Sequence, residues 1–205
     1  MRSIHFKILL AVAVGAIAVP VALQSRVKDT PHKITGTNGI AVEHDEICRP
    51  CHAPHNTDKT MGFLWNHTTS TGPWTLNEGD AANLSNGSKA CLSCHDGTVA
   101  IDSYGGKTGS VKMTGSSLLG TDLSNSHPIG VEYPTSSSRY NQPDASGNIK
   151  DPTETPAGQS AGLEDGRIQC GSCHRAHGSR ASYGMFLRVD NTGSALCMTC
   201  HISPG

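Results

Sequence analysis

The sequence predicts a chain that is mostly coil with short helices and little or no sheet, wrapped around a core that its side chains do not supply. Three observations lead there. Hydrophobic residues make up 36% of the 205 positions and aromatic residues 4%, against roughly 45–50% apolar in an ordinary domain when Gly is counted. Glycine occurs 23 times and proline 11 times, which disfavours both long helices and long strands. All 8 cysteines fall into four short blocks. A chain this poor in apolar side chains needs a staple to offset its conformational entropy.

The four blocks are Cys48-Arg49-Pro50-Cys51-His52, Cys91-Leu92-Ser93-Cys94-His95, Cys170-Gly171-Ser172-Cys173-His174 and Cys197-Met198-Thr199-Cys200-His201. Each is a Cys-x-x-Cys-His motif, the attachment signature of a c-type haem. Two thiols at this spacing reach the two vinyl groups on one haem edge, and the adjoining His is placed beneath the porphyrin with a ring nitrogen on the iron. Disulfides and zinc also use paired cysteines, but neither gives a reason for His to follow the second Cys in every block. A thioredoxin-like redox pair would need a βαβ setting that this Gly-rich chain lacks. The blocks therefore read as sites for four haem c groups, and the fold class becomes a multihaem cytochrome c whose coil and short helices surround a stack of four haems. Without haem the chain is expected to be unfolded.

Haem attachment of this kind belongs outside the cytoplasm, and the N-terminus agrees. Arg2 and Lys7 flank a basic start, Ile8 to Val19 is apolar, and Pro20 and polar residues follow. That is the layout of a signal peptide over residues 1–25, with the mature chain starting between Leu23 and Arg26. The apolar run is short for a membrane span, which needs about 20 residues; an uncleaved anchor is the competing reading. The remaining residues 26–205 read as one tetrahaem unit with an extended arm over 26–45. The expected location is the periplasm or the extracellular surface. A net charge of −1 points to neither nucleic acid nor an anionic membrane.

Four six-coordinate haems need four more axial ligands. Of 11 histidines, His52, His95, His174 and His201 are the motif ligands and His5 lies in the signal. His55 follows His52 by three positions and His177 follows His174 likewise. Side chains at i and i+3 of a helical turn share a face, with Cβ atoms roughly 5–6 Å apart. Such neighbours cannot occupy opposite faces of one haem, so each must reach a different iron, which forces haems together. His127 sits before Pro128, which favours an extended backbone and projects it from a loop. His32, in an arm that reads as loose from Arg26 to Gly39, completes the set, with His67 and His44 in reserve. Methionine would raise the potential, but Met61, Met113 and Met185 are unnecessary with so many histidines. Low potentials are therefore expected.

Elsewhere, Gly105–Ser117 and Asp144–Gly166 read as surface loops. Short helical turns are expected at each motif, notably Ser88–His95 and Ser194–His201, with a turn at Asp96-Gly97. Trp65 is expected to pack on a porphyrin. The unequal motif spacing excludes a simple tandem repeat.

The stretches Cys-Arg-Pro-Cys-His-Ala-Pro-His-Asn at 48–56, Cys-Leu-Ser-Cys-His-Asp-Gly-Thr-Val-Ala at 91–100, Gly-Thr-Asp-Leu-Ser-Asn-Ser-His-Pro-Ile at 120–129 and Cys-Gly-Ser-Cys-His-Arg-Ala-His-Gly at 170–178 resemble the doubled-CXXCH tetrahaem cytochromes, including those that form extracellular filaments. The third motif departs from the family only in having Ala176 where Pro often stands. The resemblance implies bis-histidine haems in a continuous chain of stacked and T-shaped pairs. In filament-forming members it also implies one axial His donated by the neighbouring subunit, for which Pro31-His32 is the counterpart. The expected function is electron transfer rather than catalysis, either in a filament with other copies of itself or as a discrete periplasmic shuttle between redox proteins. A multihaem reductase, which would need an open sixth position, is the alternative.

Overall fold

A computed structural model of the chain describes residues 27–36, 40, 46–150, 159–178 and 184–202. The expected signal and its cleavage site, and His44, lie outside them. Among the described residues α-helix is confined to the motifs: α1 is Asn86–His95, α2 is Cys170–Cys173 and α3 is Ala195–Cys200. Helix α1 is the longest because Ser85 caps it, its hydroxyl accepting from the Ser88 N–H, which supplies one of the orphan donors of a first turn. The other motifs hold a single turn. The N–H of His52, His174 and His201 donates to the carbonyl of Cys48, Cys170 and Cys197 at 2.8, 3.0 and 2.9 Å. That i to i−4 closure sets both cysteines and the histidine of each motif on one turn.

Among the described residues sheet is reduced to two pairs of two-residue strands: β1 (Thr75–Leu76) runs parallel to β2 (Asp122–Leu123), and β3 (Asn148–Ile149) antiparallel to β4 (Ala161–Gly162). The second pair lies inside the stretch 144–166, which sequence alone reads as a surface loop. Its cause is local. The Asp144 carboxylate accepts from the N–H groups of Ser146 and Asn148 at 2.8 and 2.9 Å, an Asx turn that folds the chain back so that Ile149 and Ala161 pack under Tyr133. By contrast, Gly105–Ser117 is coil ending in a 3-10 turn at Gly115–Ser117.

The apolar side chains form two small clusters rather than one core. Leu84, Leu92 and Leu123 gather behind α1, and Tyr133, Ile149 and Ala161 gather behind α3, where Cys200 joins them. Leu92 is fully buried, and burying a leucine stabilises by about 1.5–3 kcal/mol. The N-terminal arm is not loose over the described part of it. Val27–Asp29 forms a 3-10 turn, the Thr30 hydroxyl donates to the Val27 carbonyl at 2.8 Å, and Thr35 is buried.

The chain contains an internal repeat that the motif spacing hides. Cys48–Asn66 and Cys170–Arg188 align in sequence position for position without a gap: Cys-x-x-Cys-His-x-x-His is followed by Gly62-Phe63-Leu64-Trp65 in one and Gly184-Met185-Phe186-Leu187 in the other. The backbone bonds repeat too. Ala53 N donates to Leu64 O and Asn66 N to Cys51 O in the first block; Arg175 N donates to Phe186 O and Arg188 N to Cys173 O in the second. Asn86–His95 matches Thr192–His201 in the same way, with the Ser93 hydroxyl on Lys89 O and the Thr199 hydroxyl on Ala195 O. The molecule is two related halves, each carrying one block of the first kind and one of the second.

Candidate haem-binding site

Three of the motif turns hold their histidine by a hydrogen bond from its ring. The Nδ1–H of His52 donates to the Phe63 carbonyl and that of His174 to the Met185 carbonyl, both at 2.7 Å and both across eleven residues. His95 Nδ1 meets the Ser117 carbonyl at 2.8 Å. A carbonyl only accepts, so Nδ1 carries the proton and Nε2 keeps its lone pair for a metal. The carbonyls are aimed by backbone strain. Phe63, Leu64, Met185 and Phe186 all have positive φ, between 54° and 60°, which costs about 1–3 kcal/mol per residue and persists where the surroundings impose it, often at ligand clamps. The same strained pair in both halves marks a common purpose.

Facing imidazoles meet in twos. Ring centroids are 6.0 Å apart for His52 and His177, 6.2 Å for His95 and His32, and 6.3 Å for His201 and His127. Two imidazole nitrogens on opposite sides of one metal, at bonds of about 2 Å each with about 1 Å from nitrogen to ring centre, give a centroid separation of about 6 Å. All three pairs have that separation. His32 is held by its own Nδ1, 2.6 Å from the Ala176 carbonyl, and is stacked on Phe186 at 4.4 Å. His127 Nδ1 lies 3.0 Å from the Pro128 carbonyl. Tyr140 flanks His201, with ring centroids 5.0 Å apart.

The fourth pair is not closed. His174 and His55 make no imidazole ring contact; His55 is exposed and has only the Asn56 amide, 3.1 Å from its Nδ1. His32 lies against an imidazole of its own chain. It faces His95 of its own chain, because the arm folds back over the third motif and the Ala176 carbonyl and Phe186 ring lock its imidazole. His67 is buried, with Nδ1 2.8 Å from Thr68 O and Nε2 3.1 Å from Ala100 O. Burial pulls its pKa below the usual value, and a neutral imidazole, with one N–H, can donate to only one of these carbonyls. Its ring lies beside Trp65, with centroids 6.0 Å apart.

The cysteines line up beside these pairs. All eight are free thiols, Cys48 and Cys197 exposed and the rest half-buried. Burial pushes Cys51 up to about 11, Cys94 to about 12 and Cys200 to about 11. Cys91 and Cys170 hydrogen-bond each other, which raises the first and lowers the second. Cys51 lies within electrostatic reach of Cys94, and Cys173 of both Cys197 and Cys200. Consecutive motifs are therefore neighbours along the whole chain.

Sequence reasoning missed two supports of this site. Asp96, next to His95, is buried and accepts from the Trp74 indole at 2.9 Å, the Thr98 N–H at 2.7 Å and the Thr98 hydroxyl at 2.8 Å. Burial alone would raise its pKa, but hydrogen bonds from Ser70, Thr98 and Trp74 outweigh it and hold the carboxyl below its ordinary range. Gln169 is the second. Its side-chain oxygen accepts from the Ser85 N–H at 3.1 Å and the Ser88 hydroxyl at 2.8 Å, its amide donates to Asn83 O at 2.8 Å, and Ser88 in turn accepts from Cys170 N–H at 3.0 Å. This clip joins α1 to α2. Trp65, expected against a porphyrin, is buried with its ring edge-on to His52 at 6.4 Å, and its indole N–H has no partner.

The residues fit haem c. Paired thiols, an adjoining histidine with a metal-ready Nε2, and an opposing imidazole at the separation of a shared metal are the donor set of a six-coordinate haem. Among the described residues no three His, Cys, Asp or Glu side chains converge as a mononuclear zinc site requires. The motifs indicate covalent binding of haem c. Comparison with known proteins agrees: the family model for the doubled CXXCH motif matches residues 163–204, the last two motifs, and supports a multihaem c-type cytochrome-like chain. No curated protein matches the sequence.

Proposed function

We propose that the chain is an exported tetrahaem cytochrome that moves electrons along four haem c groups, as a subunit of an extracellular filament. A haem iron between two imidazoles exchanges one electron at low potential without opening a coordination position. The chain's residues do the rest. Cys48 and Cys51, Cys91 and Cys94, Cys170 and Cys173, and Cys197 and Cys200 anchor the four haem edges. His52, His95, His174 and His201 are the near ligands; His177, His32, His55 and His127 are the far ones. Carbonyl bonds to Nδ1 hold His32, His52, His95, His127 and His174 still, so little rearrangement accompanies a change of charge.

The observation that carries this reading is the pairing of His52 with His177. His177 belongs to the third motif's turn, so one imidazole pair binds the first and third motifs together and leaves their haems no room to be remote. The second reading, a multihaem reductase, has one observation on its side: His174 has no opposing imidazole among the described residues. Film voltammetry of the purified protein, with negative-stain microscopy of surface-sheared material, tests the proposal. Low-potential waves that account for every haem, with filaments on the cell surface, support it. A catalytic current with a small oxyanion or metal ion would support the reductase instead.

A further inference from the structure

Among the described residues the large apolar side chains that stand exposed are Phe63, Leu64, Leu118, Leu119, Met185 and Ile202. They are not scattered. Phe63 gives its carbonyl to His52 Nδ1, with Leu64 as its neighbour, and Met185 gives its carbonyl to His174 Nδ1. Leu118 and Leu119 follow Ser117, whose carbonyl takes the His95 Nδ1–H, and the Leu119 N–H donates to the His95 carbonyl at 2.8 Å. Ile202 directly follows His201. Each of these residues therefore lies on a segment that holds or adjoins a motif histidine, and every motif has at least one.

Phe63 is 57% exposed and Met185 77%. Leaving such a side chain in water forgoes about 1.5–3 kcal/mol of burial, so a contact is expected there. A docking face for another protein has no reason to divide itself among the four motif histidines. The backbone adds a second argument. Phe63, Leu64 and Met185 hold positive φ of 54°, 55° and 58°, at about 1–3 kcal/mol for each residue that is not Gly. Aiming a carbonyl needs only the backbone, and Gly would adopt this φ without strain. Large apolar residues stand there instead, so the side chains themselves are required. Two neighbours show where they belong. Phe186, next to Met185, stacks on His32 at 4.4 Å. Leu118 is held over the second motif, its Cδ1 2.6 Å from where a Cβ at Gly97 would stand.

We propose that Phe63, Leu118, Met185 and Ile202 are the seats for the haems of the first, second, third and fourth motifs. Each side chain lies against the ring that its own histidine binds. One short segment thus fixes the imidazole through its backbone and keeps water from the metal through its side chain. This deepens the reading of the motifs as haem sites and rests on it. A seat also sets a potential. Ferric haem carries one more positive charge than ferrous, so water admitted beside it favours the oxidised form and lowers the potential.

Two of the seats can be altered without disturbing the carbonyl. Asn tolerates positive φ, so Phe63→Asn and Met185→Asn change the side chain and leave the backbone aimed at the histidine. Phe63→Leu keeps an apolar cover, and Leu64 shows that Leu takes this φ. The holoprotein is titrated redox-wise while its haem methyl signals are followed by NMR, with haem content and sedimentation measured on the same samples. Each Asn variant should lower one potential of the four, a different one in each, and Phe63→Leu should stay close to the wild type. Loss of a single haem from Phe63→Asn that Phe63→Leu retains would support the seat as well. Unchanged potentials with all haem retained, or an equal fall in all four, would overturn it. So would altered self-association with unmoved potentials, which would make these residues a protein contact. A wild type without haem would instead refute the reading of the motifs, so the two failures are distinguishable.

Discussion

The imidazoles of His52 and His177 face each other across the two halves of the chain, with ring centroids 6.0 Å apart and planes inclined by 55°. On the proposed reading, residues far apart in sequence would hold one iron between them, the far ligand being carried on the attachment turn of another motif. Loading of the first haem would then be coupled to docking of the two halves, because the second half supplies a ligand that the first needs.

His177→Ala should convert one haem of the four from low-spin to high-spin. His177 is exposed, so the chain should keep its haem content while losing that one ligand. EPR of the oxidised protein checks this, and an unchanged spectrum would remove His177 from the ligand set.

His67→Gln should leave every haem signal unchanged. The His67 ring is buried with its nitrogens facing the Thr68 and Ala100 carbonyls, so the loss falls on packing and one hydrogen bond, about 1–3 kcal/mol for buried groups left unpaired. Thermal unfolding should shift downwards while the visible spectrum stays the same. A new high-spin signal would show that His67 had been a ligand.

Gln169→Ala should weaken the contact between α1 and α2. It strips partners from Ser88, from the Ser85 N–H and from the Asn83 carbonyl in a buried setting, a cost of about 1–3 kcal/mol. Denaturant titration of the holoprotein should report a lower midpoint. A midpoint equal to the wild type would mean that the clip contributes nothing.

Asp96 should make stability depend on pH in the acid range. Its folded pKa lies below the ordinary carboxylate value, so its contribution is present above the unfolded pKa and is lost as pH falls through the folded one. Asp96→Asn should flatten that part of the profile and lower stability near neutrality. The check is unfolding of both proteins between about pH 2 and pH 7; parallel profiles would refute it.

The chemistry of this chain was easier to read from sequence than its architecture. Cysteine spacing and the adjoining histidines announced the attachment turns because covalent chemistry demands those residues at fixed offsets. His127 could be picked out because Pro128 extends its loop. The partner of His32 could not, since an arm of Thr, Lys and Gly carries no pattern that says it folds back onto Ala176 and Phe186. The hairpin at Ile149 and Ala161 was hidden because two-residue strands are too short to show alternation. The internal repeat was hidden by the unequal segments between equal blocks. Laying Cys48–Asn66 on Cys170–Arg188 would have disclosed it, through the shared Gly and apolar pair after each double histidine. Asp96 and Gln169 were illegible because a buried polar network is defined by residues distant in sequence, such as Ser70 and Trp74 for the one and Ser88 for the other.

The central claim is that each motif carries a haem and that each haem sits between two imidazoles in the assembled protein. Pyridine haemochrome quantification of the exported, assembled protein, set beside its EPR spectrum, tests it most directly. Four haems per chain, all low-spin, is the expected result. Two haems or fewer, or a persistent high-spin ferric signal in the assembled form, would contradict it.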